Sequence, residues 1–163
     1  MLKVVFNNNL IALAINVCLC FVLFLPAATM WYLNVWWENM RPNEIAVNWV
    51  VIVIWTGVVV LWYFWFGRKF LVNTGNTLLN ISSVIMLPII ISIAVLVGFR
   101  NLDNPILVDL MSMVLLLGIP MHPIIETAYF FLRIEFEYAF MAISILPSLV
   151  MWVGMISKRS PNF

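Results

Sequence analysis

The chain has 163 residues, of which 65% are hydrophobic and only 9% are charged. A soluble domain is usually about 45–50% apolar and about 25% charged, so this composition excludes an ordinary soluble fold. Each membrane span takes about 20 residues, and four or five spans with short turns would use residues 1–163 as one domain. The net charge of +1, with lysines and arginines scattered singly or in pairs, argues against nucleic-acid binding.

Two apolar runs open the chain, and we predict a membrane span in each. The first run extends from Asn9 to Met30 and the second from Ile45 to Phe66. Amphipathic aromatic rings settle at headgroup depth, so tryptophans near the ends of these runs are predicted to anchor the helices at the interface. These interface anchors are Trp31, Trp36, Trp37, Trp49 and Trp65. For Trp55, near the centre of the second run, lipid contact is favoured over a role in a ligand pocket.

Two further runs are long enough to span, Leu78 to Phe99 and Tyr138 to Ile156, and they are separated by an irregular stretch. Within that stretch the apolar piece 106–117 reaches only about 18 Å as a helix, short of the roughly 30 Å hydrocarbon core. Pro120 and Pro123 break any helix that would continue it. The predicted fold is therefore an all-α integral membrane protein, a bundle of four transmembrane helices plus a broken re-entrant or interfacial helical hairpin over residues 105–133.

Orientation follows from the positive residues beside the spans, because these favour the cytoplasmic side. With four crossings, Lys3, the pair Arg68 and Lys69, and the pair Lys158 and Arg159 all share one side. Five crossings would move the last pair outside and Arg133 inside. We predict a multi-pass protein of the cell membrane, an inner membrane, with both termini in the cytoplasm.

Three polar residues of the irregular stretch, Asp109, His122 and Glu126, form the candidate functional centre. An ionisable residue in an apolar segment is costly and usually faces a cavity or a partner, although Asp109 could instead begin a short helix at headgroup depth. His122 lies between two prolines, which keep its backbone out of a regular helix, and the alternative is an ordinary interfacial loop. His122 and Glu126 are four residues apart and could approach one face of a helix that begins at Pro123.

The sequence offers no complete catalytic or metal-binding set, so we predict neither a catalytic residue nor a metal ligand nor a cofactor. A metal at His122 and Glu126 would need Asp109, Glu135 or Glu137, or a second chain, to complete its shell. No nucleophile elbow, zinc-protease helix or nucleotide-binding loop is present. Cys18 and Cys20 lie two apart and do not share a helix face, which favours packing over redox chemistry.

Three functional hypotheses follow. The favoured one is a non-enzymatic subunit, sensor or immunity-type component of a membrane complex, working as a homo-oligomer or with other membrane subunits in the lipid bilayer. A bundle of this size is expected to leave Asn16 and Asp109 with few internal partners, which favours an oligomer. The alternatives are a small oligomeric channel or transporter that uses the broken helix around Asp109 and His122, and an intramembrane enzyme.

Overall fold

A computed structural model describes residues 1–34, 42–100, 106, 107, 109, 116–121, 124, 125, 129, 133 and 135–158. These residues form helices and turns and include no strand. The helices with defined bounds are α1 (Leu2–Asn34), α2 (Pro42–Phe70), α3 (Thr77–Ser82), α4 (Met86–Arg100) and α5 (Phe136–Ile156). A single 3-10 turn, Ile119–Met121, lies between α4 and α5 in the chain.

Among the described residues, three helical stretches are long and apolar enough to cross a membrane: Leu2–Leu25, Trp49–Phe70 and Tyr138–Ile156. Their mean hydropathy is 2.1 to 2.2. They lie within α1, α2 and α5, which confirms the helical character of the first, second and last predicted spans. Large apolar side chains stand exposed along their outer faces, as lipid contact requires.

The third predicted span, 78–99, is wrong as one continuous helix, because a turn at residues 83–85 divides it into α3 and α4. In an unbroken helix the ring of Pro88 would clash with the carbonyl group of Val84. Proline also has no backbone N–H to donate to that carbonyl. The break makes Pro88 the third residue of α4, where a backbone N–H has no helical partner anyway. The 15 residues of α4 reach only about 22 Å, so the four-span bundle is not confirmed.

The backbone groups that the break exposes are paired by an asparagine of α1. Asn9 Nδ2 donates to the carbonyl oxygen of Ser82 at 2.7 Å, and Asn9 Oδ1 accepts from the N–H of Met86 at 3.0 Å. One side-chain amide thus pairs a carbonyl group in the last turn of α3 and an N–H group in the first turn of α4. In an apolar bundle an unpaired backbone group is costly, so this pairing fixes α1 against the break.

Helices α2 and α5 pack more extensively on each other than any other pair of elements with defined bounds. Two glycines allow their backbones to touch. A Cβ at Gly67 would lie 2.4 Å from the carbonyl oxygen of Met151, and one at Gly154 would lie 2.2 Å from that of Phe64. The two helices run in the same direction, since Asn73 Nδ2, beyond the end of α2, donates to the carbonyl oxygen of Lys158 at 3.0 Å.

The beginning of α1 meets the ends of α2 and α5 at one end of the bundle. Asn8 Nδ2 donates to the carbonyl oxygen of Val72 at 2.8 Å, and Asn8 Oδ1 accepts from the N–H of Val72 at 3.0 Å. The turn that follows is closed by Gly75, which has a positive φ of 76° and donates its N–H to Asn73 Oδ1 at 2.9 Å. Because Lys3, Lys69 and Lys158 belong to these helix ends, we call this part of the bundle the basic end.

A candidate site: the central polar cluster

A cluster of hydrogen-bonded polar groups lies inside the bundle, and we call it the central polar cluster. It consists of Asn16 of α1, Trp55 and Tyr63 of α2, and the carbonyl groups of Leu117 and Pro120. Asn16 and Tyr63 are completely buried, and the Tyr63 hydroxyl donates to Asn16 Oδ1 at 2.5 Å. Asn16 Nδ2 donates to the carbonyl oxygen of Leu117 at 2.9 Å and approaches Cys20 Sγ at 3.6 Å.

A second hydrogen bond of the central polar cluster holds the 3-10 turn. Trp55 Nε1 donates to the carbonyl oxygen of Pro120 at 3.1 Å. Pro120 and Met121 are buried between α1 and α2. Irregular backbone at membrane depth must be satisfied by protein, because lipid offers no hydrogen bonds. Side chains from α1 and α2 provide that satisfaction at Leu117 and Pro120.

Helix geometry explains how α2 can supply both Trp55 and Tyr63 to the cluster. Trp55 and Tyr63 are eight residues apart, about 2.2 turns, so they lie about 80° apart around α2 and about 12 Å apart along it, which leaves both on its buried side. Trp55 is only 9% exposed, so the lipid-facing interpretation of this residue was wrong. Its ring fills the interior because its indole N–H has a carbonyl partner there. Trp49 and Trp65 are more exposed, at 38% and 51%, and their role as interface anchors stays a prediction.

The candidate centre predicted from sequence lies only partly within the described residues. Asp109 is exposed. His122 and Glu126 lie outside the described residues, although His122 directly follows the buried Met121 in the chain. The side chain of Trp31 and the residues Trp36 and Trp37 also lie outside what the structure describes. The proposed centre therefore stays a prediction.

The expectation for Asn16 needs correction. Asn16 was expected to have few internal partners, yet it bonds to α2 and to the 116–121 segment, so it gives no argument for an oligomer. Serines in membrane helices commonly bond between helices. Instead Ser82, Ser83 and Ser144 donate to carbonyls three or four residues earlier in their own helices, at 2.7 to 2.9 Å. A serine hydroxyl reaches these carbonyls without needing a second helix.

The central polar cluster is chemically suited to holding structure. Its side chains are a neutral amide, a phenol and an indole, which supply hydrogen bonds but neither a nucleophile nor a general base of ordinary strength. In the described part of the chain no three His, Cys, Asp or Glu residues come together as a metal would need. An apolar groove of about 400 Å³ lies beside the cluster between α1 and the segment before the 3-10 turn, and Cys20, Phe21 and Leu116 contribute to its wall.

The sequence contains a signal for this site. Asn16 interrupts an otherwise apolar run, and a buried amide in a membrane helix needs a partner of comparable polarity. Tyr63 supplies that partner, but its position relative to Asn16 depends on how α1 and α2 pack, which periodicity alone does not give. No protein-family model, no curated protein and no solved structure matches the chain, so the geometry alone must support a functional hypothesis.

Proposed function

We propose that this chain is a non-enzymatic polytopic membrane protein that acts as a subunit of a membrane complex, through contacts between its α2 helix and a helix of a partner. The partner is a second copy of the chain or another membrane subunit. The observation that carries the proposal is the outer face of α2 around Gly57. This face is apolar, is not covered by other described residues and contains a glycine.

The outer face of α2 is less covered than the faces of the other spanning helices. In its most apolar 18-residue window only 28% is buried, against 44% in the corresponding windows of α1 and α5. Val50, Val53 and Ile54 are between 58% and 66% exposed. Together with Gly57 they recur every three or four residues, so they form one stripe along the helix. We call residues 50, 53, 54 and 57 the α2 stripe.

Gly57 distinguishes this stripe from a surface that only contacts lipid. No atom lies within 4 Å of a Cβ built at Gly57 among the described residues, so nothing in the bundle requires glycine there. Glycine weakens a helix by about 1 kcal/mol relative to alanine. Small residues in membrane helices let a second helix approach closely, which supplies packing energy that lipid does not. A partner helix over Gly57 explains why the glycine is used.

The test is photo-crosslinking from the α2 stripe in native membranes. A photoreactive residue replaces Ile54, and a control places it at Ile93, which is exposed on α4. We expect a discrete protein adduct from position 54 and none from position 93. An adduct of twice the 18.8 kDa chain mass identifies a second copy, and another mass identifies another subunit. Gly57→Ile should abolish the adduct without unfolding the bundle, and an undiminished adduct in this variant, or none from the parent, refutes the proposal.

We further propose that the basic end faces the cytoplasm. Its cations support this orientation, since positive residues are retained on that side. The pairing of α1 with Val72 and of Asn73 with Lys158 supports a common side for the turn after α2 and the C-terminal end of α5. Topology reporters inserted after Gly75 and fused after Phe163 should report the same, cytoplasmic compartment. Opposite compartments would contradict the arrangement.

A channel or transporter is the second candidate, and the buried 3-10 turn is the observation that favours it. Discontinuous backbone near the middle of a bundle is typical of transporter binding sites. The turn would then belong to a path that includes Asp109 and His122. Asp109→Asn and His122→Ala should abolish flux in reconstituted vesicles while the crosslink from position 54 persists. Unchanged flux in both variants would remove this candidate.

A further inference from the structure

The end of α2 carries two neighbouring cations above an aromatic surface. Arg68 and Lys69 occupy its last turn, and both are exposed. The Lys69 ammonium lies 4.5 Å from the centre of the Trp65 ring and 5.3 Å from that of Phe70. Phe66 and Phe70 stack with ring centres 5.8 Å apart. Contact with ring faces restrains the ammonium beside the helix without neutralising its charge.

An apolar groove begins one helical turn below these cations. It has a volume of about 540 Å³, and the described residues that line it all belong to α2, namely Leu61, Trp62, Phe64, Trp65 and Phe66. Arg68 lies seven, four and three residues after Leu61, Phe64 and Trp65, respectively. Lys69 lies at the same three spacings after Trp62, Trp65 and Phe66. Residues at these spacings share a helix face. The groove and the two cations therefore form one continuous surface.

Among the described side chains, no acidic group neutralises this surface. Residues 1–37, 45–102 and 138–163 contain no Asp or Glu. Within the described chain neither Arg68 nor Lys69 forms an ion pair, and the neighbouring helix ends add Lys3 and Lys158. The described charged side chains at the basic end are thus all positive, and an anion from outside the bundle would balance their charge.

We propose that the end of α2 is a binding site for an anionic phospholipid, whose phosphate contacts Arg68 and Lys69 while an acyl chain lies in the groove along Trp62 and Trp65. The charge of the surface selects an anionic headgroup, and an exposed aromatic groove at headgroup depth suits the acyl chain beneath it. This inference rests on membrane residence, which the proposed function shares, and it is independent of any partner helix. Ile54 and Lys69 are 15 residues apart, about 22 Å along the helix, so the two surfaces can be tested separately.

The experiment compares two lipids that differ only in headgroup charge. Purified full-length protein is titrated with phosphatidylglycerol and with phosphatidylcholine of identical acyl chains, and bound lipid is counted by native mass spectrometry. Each interfacial cation contributes about fivefold to anionic binding, so the parent should prefer phosphatidylglycerol by about 5- to 25-fold. The double variant Arg68→Gln with Lys69→Gln should bind both lipids nearly equally. Arg133→Gln is the matched control, since Arg133 is exposed and distant in the chain from α2, and it should keep the preference.

Three outcomes would overturn the site: no headgroup preference in the parent, an undiminished preference in the double variant, or an equal loss in the Arg133 control. A second variant tests the contribution of the groove to lipid binding separately from that of the two cations. Trp65→Ser should weaken binding of both lipids by a similar factor and leave their ratio above one. The photo-crosslink from position 54 is measured for the same variants in native membranes, so loss of lipid selectivity with an intact adduct is distinguishable from failure of the subunit proposal.

Discussion

Gly154→Ala tests the close contact between α2 and α5. The added Cβ would lie 2.2 Å from the carbonyl oxygen of Phe64 and 2.9 Å from the backbone nitrogen of Arg68, and both are backbone atoms that cannot rotate away. Ordinary contact begins at 3.4 Å, so the helices must separate by about 1.2 Å, the difference between the two distances. Overpacking of this kind costs about 3 kcal/mol at its upper range, and alanine returns about 1 kcal/mol through helix propensity. We expect a net loss of about 2 kcal/mol.

Gly57→Ala is the matched control, because the same atom meets nothing within 4 Å among the described residues. It should leave the isolated chain unchanged or stabilise it by up to about 1 kcal/mol. Reversible unfolding in mixed micelles with increasing sodium dodecyl sulfate gives the free energy of unfolding of both variants. Adding Gly67→Ala to Gly154→Ala should cost less than the sum of the single changes, since both require the same separation. Equal stability of Gly154→Ala and Gly57→Ala would refute the contact.

Three further changes test other parts of the bundle. Asn9→Leu removes both hydrogen bonds at the α3–α4 break and should destabilise the fold by about 2–4 kcal/mol, measured by the same unfolding assay, whereas Asn7→Leu on the exposed side should have little effect. Tyr63→Phe leaves the buried Asn16 Oδ1 without its donor and should cost about 1–3 kcal/mol; a neutral result would mean that another donor replaces the hydroxyl. Partial burial lowers the pKa of Lys158 below its ordinary 10.5, so the folded state binds fewer protons there and the stability contributed by this group rises with pH as 10.5 is approached. Lys158→Gln should flatten that rise, and an unchanged slope of stability against pH between 8 and 10.5 would contradict it.

Composition and run length were sufficient to predict the three described helices that are long and apolar enough to cross a membrane, because lipid requires backbone groups to be paired within a helix and so makes apolar length decisive. The third run shows where this reasoning fails. Its apolar length predicted one helix, but Pro88 excludes continuity and Asn9, some seventy residues earlier, satisfies the groups that the break exposes. Pro88 is visible in the sequence, but the pairing of Asn9 with the backbone at the break is not.

The interior polar groups show the same limit. Asn16 stood out in the sequence as a polar residue in an apolar run, yet only tertiary packing reveals that Tyr63 and the Leu117 carbonyl complete its hydrogen bonds. The prediction for Trp55 was wrong because a tryptophan in mid-span fits a lipid-facing position as well as a buried one. The carbonyl partner that decides between them is visible only in the structure. For Asp109 the sequence supplied a physical reason for interest, and the structure adds only that it is exposed.

The packing of α2 on α5 has a consequence for how the chain is made. The ribosome completes α2 at Phe70, but the helix that covers its Gly67 surface begins only at Phe136. Throughout synthesis of residues 71–135, α2 is therefore inserted with its closest packing surface uncovered. A chain interrupted before residue 136 keeps that surface exposed, and membrane proteases that remove unassembled helices would meet it there. The packing of α2 is thus completed only when α5 has been made.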